Sequence, residues 1–246
     1  MAVAVIMKIR LDKFLADMGY GTRSEIKKET AKGSVTVNGT VVKRPETKID
    51  TDKDAVCFKG EPAAYIQYEY FMLNKPAGVV SATLDSRETT VLELIKDSRR
   101  DGLFPVGRLD KDTEGLLLIT NNGELAHHLL SPKRHVDKVY FVRVRGQVTK
   151  DDEERFAKGL DIGDEKKTLP ADLRILNCGE ISEAEIIIRE GRFHQVKRMF
   201  SAVGKEVLYL KRLSMGALKL DERLAPGQYR RLTEEGKEPL YVVYPY

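Results

Sequence analysis

Apolar residues recur at two different spacings along this chain, and the change between them divides it. Near the N-terminus Leu11, Leu15 and Met18 fall at helical spacing, and Gly19 offers a stop. Thr22-Arg23-Ser24-Glu25 reads as a capping box, with Thr22 as N-cap and Glu25 at N3, so a second helix is predicted over 23–32, ended by Gly33. Val35-Thr36-Val37 and Val41-Val42 then flank Asn38-Gly39, a pair that tolerates positive φ and so predicts a type I′ hairpin. Gly60-Glu61-Pro62 interrupts the pattern before Tyr68 opens a new apolar segment, which places a boundary between a module over 8–66 and a second domain over 67–246.

Beyond that boundary the pattern favours strands, at 68–73, 116–120, 136–148, 184–189 and 241–244. Helices are predicted over 91–95, 124–130 (stopped by Pro132), 151–158 and 194–203. The last carries an apolar stripe at Val196, Met199, Phe200 and Val203, at i, i+3, i+4 and i+7, which marks a core-facing side. Strands and helices do not alternate regularly. The fold class is therefore α+β, a small module followed by a mixed, mostly antiparallel sheet.

Composition narrows the class further. Hydrophobic content of 41% and charged content of 33% over 246 residues describe a globular chain, and no apolar run approaches the roughly 20 residues a membrane helix needs. Residues 2–6 are apolar, but no basic stretch precedes them and the run is short for a signal peptide. Cys57 and Cys178 lie far apart with no CxxC spacing, so neither a disulfide framework nor a zinc site is expected, and a cytoplasmic protein is. The net charge of +4 is unevenly placed: residues 1–60 hold 12 Lys+Arg against 8 Asp+Glu, and the remainder holds 30 of each. The excess sits where a phosphate backbone could be gripped, at Arg23, Lys27, Lys28, Lys43 and Arg44. A solvated basic surface would look the same.

Chemistry is concentrated in Val106-Gly107-Arg108-Leu109-Asp110-Lys111-Asp112-Thr113-Glu114-Gly115, directly before the apolar run from Leu116. Asp and Gly are poor strand formers, so a loop is expected here, held at a sheet edge, the setting in which a carboxylate serves as nucleophile or base. Taken alone, Arg-x-Asp is more often a surface ion pair. The four histidines, 127, 128, 135 and 194, form no HExxH pattern, and no glycine-rich phosphate loop appears.

Four segments, in order, resemble the RsuA-type pseudouridine synthases: Leu73-Asn74-Lys75-Pro76-Ala77-Gly78, Gly107-Arg108-Leu109-Asp110, Lys138-Val139-Tyr140 and Glu190-Gly191-Arg192-Phe193-His194-Gln195-Val196-Lys197-Arg198-Met199. The segment before them resembles an S4 RNA-binding module beginning at Lys8, which makes Met7 a candidate start. The resemblance implies isomerisation of one ribosomal RNA uridine: the bond from ribose C1′ to uracil N1 breaks, the base turns, and C1′ is rejoined to C5. Such a uridine must be flipped out of its stack. No metal or redox cofactor is implied, and the partner is ribosomal RNA or an assembling ribosomal particle, met by a monomer.

By the same resemblance Asp110 is the catalytic carboxylate, Tyr140 stacks on the base, and Lys197 pairs with Asp110. Arg108, two residues from Asp110 on the same loop, is expected to hold a phosphate of the flipped nucleotide or to order the RNA, with a structural ion pair as the alternative, and Arg198 is expected at RNA or in packing. Asp112 is expected only to cap or orient the loop, and Lys75 is assigned no chemistry. His194-Gln195-Val196-Lys197 and Leu224-Ala225-Pro226-Gly227-Gln228-Tyr229-Arg230 look closer to small-subunit (16S) enzymes, since large-subunit (23S) relatives tend to carry Asn-Arg in place of Phe193-His194. A 23S enzyme and a non-catalytic assembly protein are the alternatives. A hydrolase using Asp110 and Asp112 ranks last, because residues two apart on a short loop are poorly placed to flank a scissile bond. Glu29-Thr30 stands where S4 sequences usually carry aliphatics, so the apolar face of the second helix is expected to be thin and the module loosely packed until it meets RNA.

Overall fold

The structure, a computed structural model, describes residues 8–99, 101–131 and 134–232. The predicted strand at 241–244 and the helix stop at Pro132 lie outside them. The chain divides into two compact units, residues 1–69 with 97–102, and residues 70–96 with 103–246.

In the first unit β1 (Lys8–Arg10) leads into α1 (Leu11–Asp17) and α2 (Arg23–Ala31). Thr22 Oγ1 accepts from Glu25 N–H and the Glu25 carboxylate accepts from Thr22 N–H, the expected reciprocal cap. β2 (Val35–Val37) and β3 (Thr40–Val41) form the predicted hairpin, with Asn38 at φ 51° and Gly39 at φ 77°. β4 (Lys48–Asp50) pairs β1, while β5 (Val56–Phe58) and β6 (Glu61–Ala63) extend the hairpin into four strands. Gly60-Glu61-Pro62 is thus a turn into one more strand rather than a break in the pattern.

The expectation of loose packing fails. Ile9, Leu11, Phe14, Leu15, Ile26 and Val35 are all buried in one cluster. Thr30 is buried too, because its hydroxyl donates to Ile26 O at 2.7 Å and so needs no aliphatic substitute. Glu29 turns outward to Lys32 and Lys59.

The second unit is built on a nine-stranded sheet whose strands, in chain order, are β7 (Tyr70–Lys75), β8 (Phe104–Val106), β9 (Glu114–Thr120), β10 (Lys138–Arg145), β11 (Asp172–Asn177), β12 (Ile181–Ile188), β13 (Glu206–Met215), β14 (Leu218–Lys219) and β15 (Tyr229–Arg231). The spatial order is β11-β12-β10-β13-β9-β7-β15, with β8 against β9 and β14 against β13. Only β13 and β9 run parallel. α3 (Gly123–Leu130) covers one face; α4 (Lys150–Ala157) and α5 (Gln195–Ala202) cover the other, where Phe156 and Phe200 meet at 4.9 Å between ring centroids. Because both faces are covered, β7 and β9 are apolar at successive positions: Phe71, Leu73, Leu117 and Ile119 face α4 and α5, and Tyr70, Met72, Leu116 and Leu118 face α3.

The parallel contact of β9 with β13 is unusually close. A Cβ on Gly115 (φ 101°) would lie 2.3 Å from Arg212 O and 2.7 Å from Arg212 N, so only glycine lets the two backbones meet. Immediately before it, the loop over 107–113 is held from beneath by Lys75. That ammonium is buried and donates to the carbonyls of Pro76 (3.0 Å), Lys111 (3.2 Å) and Thr113 (2.9 Å). Burial pushes the Lys75 pKa down to about 8, against the opposing pull of Asp112, Asp110 and Glu114.

Gly115→Ala should lower stability by roughly 4 kcal/mol or more, because backbone on another strand must move. Gly78→Ala, at φ 86° with nothing within 4 Å, should cost only about 1 kcal/mol of backbone strain. Urea unfolding of both variants measures the gap, and equal losses would refute the steric account.

Lys75 makes a second prediction. Between about pH 8 and 10.5 the unfolded chain keeps a proton on Lys75 that the folded chain has lost, so this group's contribution to stability rises with pH across that window. In Lys75→Met the contribution is absent. The stability difference between wild type and Lys75→Met should widen from pH 8 to 10, and a constant difference would count against the buried ammonium.

Candidate active site

The loop between β8 and β9 is pinned at each end and in the middle. Leu109 is buried, its N–H donates to Ser81 Oγ at 3.1 Å, and Ser81 Oγ donates back to Leu109 O at 2.9 Å. Thr113 N–H donates to Asp110 O at 3.0 Å, and Gly78 N–H to Lys111 O at 2.8 Å. With Leu109 buried between them, Arg108 is exposed and Asp110 keeps 27% of its side-chain surface open. Among the described residues Arg108 has no hydrogen-bonding or ion-pair partner, so its guanidinium is free for a ligand.

α5 brings the opposing groups. Its N-cap, His194, has the left-handed backbone (φ 50°, ψ 33°), uncommon for a residue with a side chain. The turn before it is fixed by buried Gln195, which accepts from Arg192 N–H and donates to Glu190 Oε1, both at 2.9 Å. Arg192 donates to the carbonyls of Lys166 and Lys167. Held this way, Lys197 Nζ lies 3.4 Å from Asp110 Oδ2 and donates to Asp112 Oδ1 at 2.6 Å, while His194 Nε2 lies 3.6 Å from Asp110 Oδ1.

The expected Asp110–Lys197 pair is therefore a shared ammonium, with its shorter contact to Asp112. Asp112, expected only to cap or orient the loop, is the direct hydrogen-bond partner. Partial burial would raise the Asp112 carboxyl, but the Lys197 ammonium outweighs it and holds the group below its ordinary value.

Tyr140 sits on β10 with Val142 and Val144 on the same face. The ring is 7% exposed, packed into the core, and still lines a cleft of about 600 Å³ together with Arg108, Asp110, His194, Lys138 and Arg212. The core and cleft readings of this tyrosine hold at once. Arg198 goes to packing: it donates to Ile162 O, to Phe193 O at 3.2 Å and to Asp164, which leaves little of it for RNA.

In the first unit Arg23, Lys27, Lys28, Lys43 and Arg44 are all exposed, and none forms an ion pair with another described residue. Lys43 reaches the end of α2, its Cε 3.9 Å from where a Gly33 Cβ would stand.

Sequence reasoning missed Lys75, Ser81, Lys138, His194 and Arg212. A signal existed for Lys138, a charged residue within the apolar strand predicted over 136–148. Arg212 lies on β13, for which no strand was predicted. Lys138 is pushed down to about 8 by burial and by Arg212, with Asp137 and Glu190 opposing. Among the described residues no group of three or more His, Cys, Asp or Glu is placed to hold a metal ion.

Comparison with known proteins agrees with this geometry. Residues 69–202 match the RNA pseudouridylate synthase family and residues 9–55 match the S4 domain. The chain is 49% identical to the uncharacterized RNA pseudouridine synthase YtzG of Bacillus subtilis (strain 168), over 92% of this chain and 96% of that protein. It is 42% identical to ribosomal small subunit pseudouridine synthase A of Escherichia coli (strain K12), over 92% and 97%. A crystal structure of a pseudouridylate synthase superposes with a TM-score of 0.66 at 38% identity, covering 94% of this chain and 99% of the other. With its pinned Asp110 loop, its cleft tyrosine and an S4 domain ahead of them, the chain belongs to the RNA pseudouridylate synthase family.

Proposed function

We propose that this enzyme isomerises one specific uridine of small-subunit (16S) ribosomal RNA to pseudouridine. The observation that carries the reading is that Asp110, from a loop, and Tyr140, from a strand, line one cleft, with Lys197 of α5 3.4 Å from Asp110. The choice of 16S RNA is supported by the 42% identity to a ribosomal small subunit pseudouridine synthase. Asp110 acts at the ribose–base junction of the flipped uridine, Tyr140 offers the face on which the freed uracil rests, and Lys197 pairs with Asp110. Arg108, exposed at the cleft, takes a phosphate of the flipped nucleotide. Residues 8–66 grip RNA through Arg23, Lys27, Lys28, Lys43 and Arg44, and residues 67–246 carry out the chemistry. The enzyme acts as a monomer on ribosomal RNA or an assembling ribosomal particle, in the cytoplasm. Among the described residues no helix is long and apolar enough to cross a membrane.

Asp110→Asn is isosteric and uncharged. It should reduce tritium release from 5-tritiated uridine in 16S RNA to background while leaving RNA affinity intact, and wild-type rates in this variant would remove the central claim. Lys197→Met should slow release roughly 10- to 100-fold, the scale of losing a charged hydrogen bond of about 1.5–3 kcal/mol, and Lys197→Arg should keep measurable activity. Replacing Arg23, Lys27 and Lys28 together by Gln should make the dependence of log affinity on log salt shallower by roughly two to three units. An unchanged salt slope would mean that α2 does not touch phosphate.

A further inference from the structure

Among the described residues, two cations in the cleft wall have no carboxylate within ion-pair distance. Arg212 is 1% exposed and Lys138 is 8% exposed. Arg212 Nε donates to Leu116 O at 2.7 Å, yet its Nη2 is buried with no partner among the described residues. Lys138 Nζ donates to Val136 O at 3.0 Å. The carboxylates that act on Lys138, Asp137 and Glu190, stand beyond ion-pair distance of it, and among the described residues Arg212 has none within that distance. A buried guanidinium with an unused nitrogen costs several kcal/mol unless something else meets it. Both side chains line the cleft that holds Asp110.

Their placement says what meets them. Arg212 on β13 is the cross-strand partner of Tyr140, and Lys138 lies two residues from Tyr140 on the same face of β10. The two cations therefore flank the tyrosine ring along and across the sheet. A phosphate of the RNA backbone must stay at the mouth, where the strand enters and leaves, and exposed Arg108 serves there. What reaches the wall is the base.

Resting on the isomerase reading above, we propose that Arg212 and Lys138 form the site for the uracil carbonyl oxygens and stabilise the negative charge the base acquires when it leaves the sugar. When the C1′–N1 bond breaks, its electron pair stays with the base as one negative charge spread over N1, O2 and O4. The charge is spent when C5 bonds to C1′; the C5 proton then departs and N1 takes up a proton. Donors already in place and shielded from water are worth most against such transient charge.

The test uses the full-length chain, with single-turnover tritium release at saturating 5-tritiated RNA, and RNA affinity over a salt series. Lys138→Met and Arg212→Gln should each lower the saturating rate roughly 100-fold. RNA affinity and its salt slope should stay at wild-type values. Arg212→Lys should recover part of the loss, because charge rather than shape is what matters. If the Arg212 variants do not fold, Lys138→Met decides alone. A wild-type saturating rate in Lys138→Met overturns the inference. So does weaker binding with a shallower salt slope at an unchanged saturating rate, which would assign the cations to phosphate. Failure of the wild-type chain to release tritium overturns the isomerase reading itself, whereas an active wild type with unaffected variants overturns only this inference.

Discussion

The active-site loop depends on one buried ammonium. Lys75 ends β7 beneath the segment that carries Asp110, and its three donors meet three backbone carbonyls, two of them in that loop. Backbone carbonyls satisfy a cation without competing for it as a carboxylate would, so the positive charge remains available to the acidic loop above. Asp112, Asp110 and Glu114 all act on Lys75 from that side. A short loop dense in carboxylates would otherwise repel itself. Here it closes around a charge that the sheet holds in place.

The same logic of unequal charge runs through the cleft. Lys197 is divided between Asp110 and Asp112, with its shorter contact to Asp112, and the other Asp110 oxygen faces His194 at 3.6 Å. Arg192 and Arg198, by contrast, are consumed in building the turn before α5, on carbonyls and on Asp164. The basic residues of this turn thus do two jobs that sequence spacing does not separate. Some form the frame, and one faces the chemistry.

The two units stabilise themselves differently. The first is small, and its core is a single cluster under two short helices. Arg23, Lys27, Lys28, Lys43 and Arg44 are exposed and form no ion pair with another described residue, which suits a surface meant for a polyanion. The second buries both faces of its central strands, the more expensive arrangement in polar satisfaction and the more rigid one. Rigidity is what a pinned loop and a buried tyrosine at the cleft require.

Local signals were sufficient wherever the determining contacts lie within a few residues. Thr22 and Glu25 cap their own helix, Asn38-Gly39 turns its own hairpin, and the stripe at Val196, Met199, Phe200 and Val203 marks its own helix face. The motifs around Asp110, Tyr140 and Lys197 were legible for a related reason, since each is a contiguous string of residues. Tertiary structure alone decided the rest. That Lys197 reaches Asp112 more closely than Asp110 depends on how α5 sits against a loop 85 residues earlier. The role of Arg212 rests on its strand pairing with both β10 and β9, and such pairing comes from long-range register that no periodicity within β13 encodes.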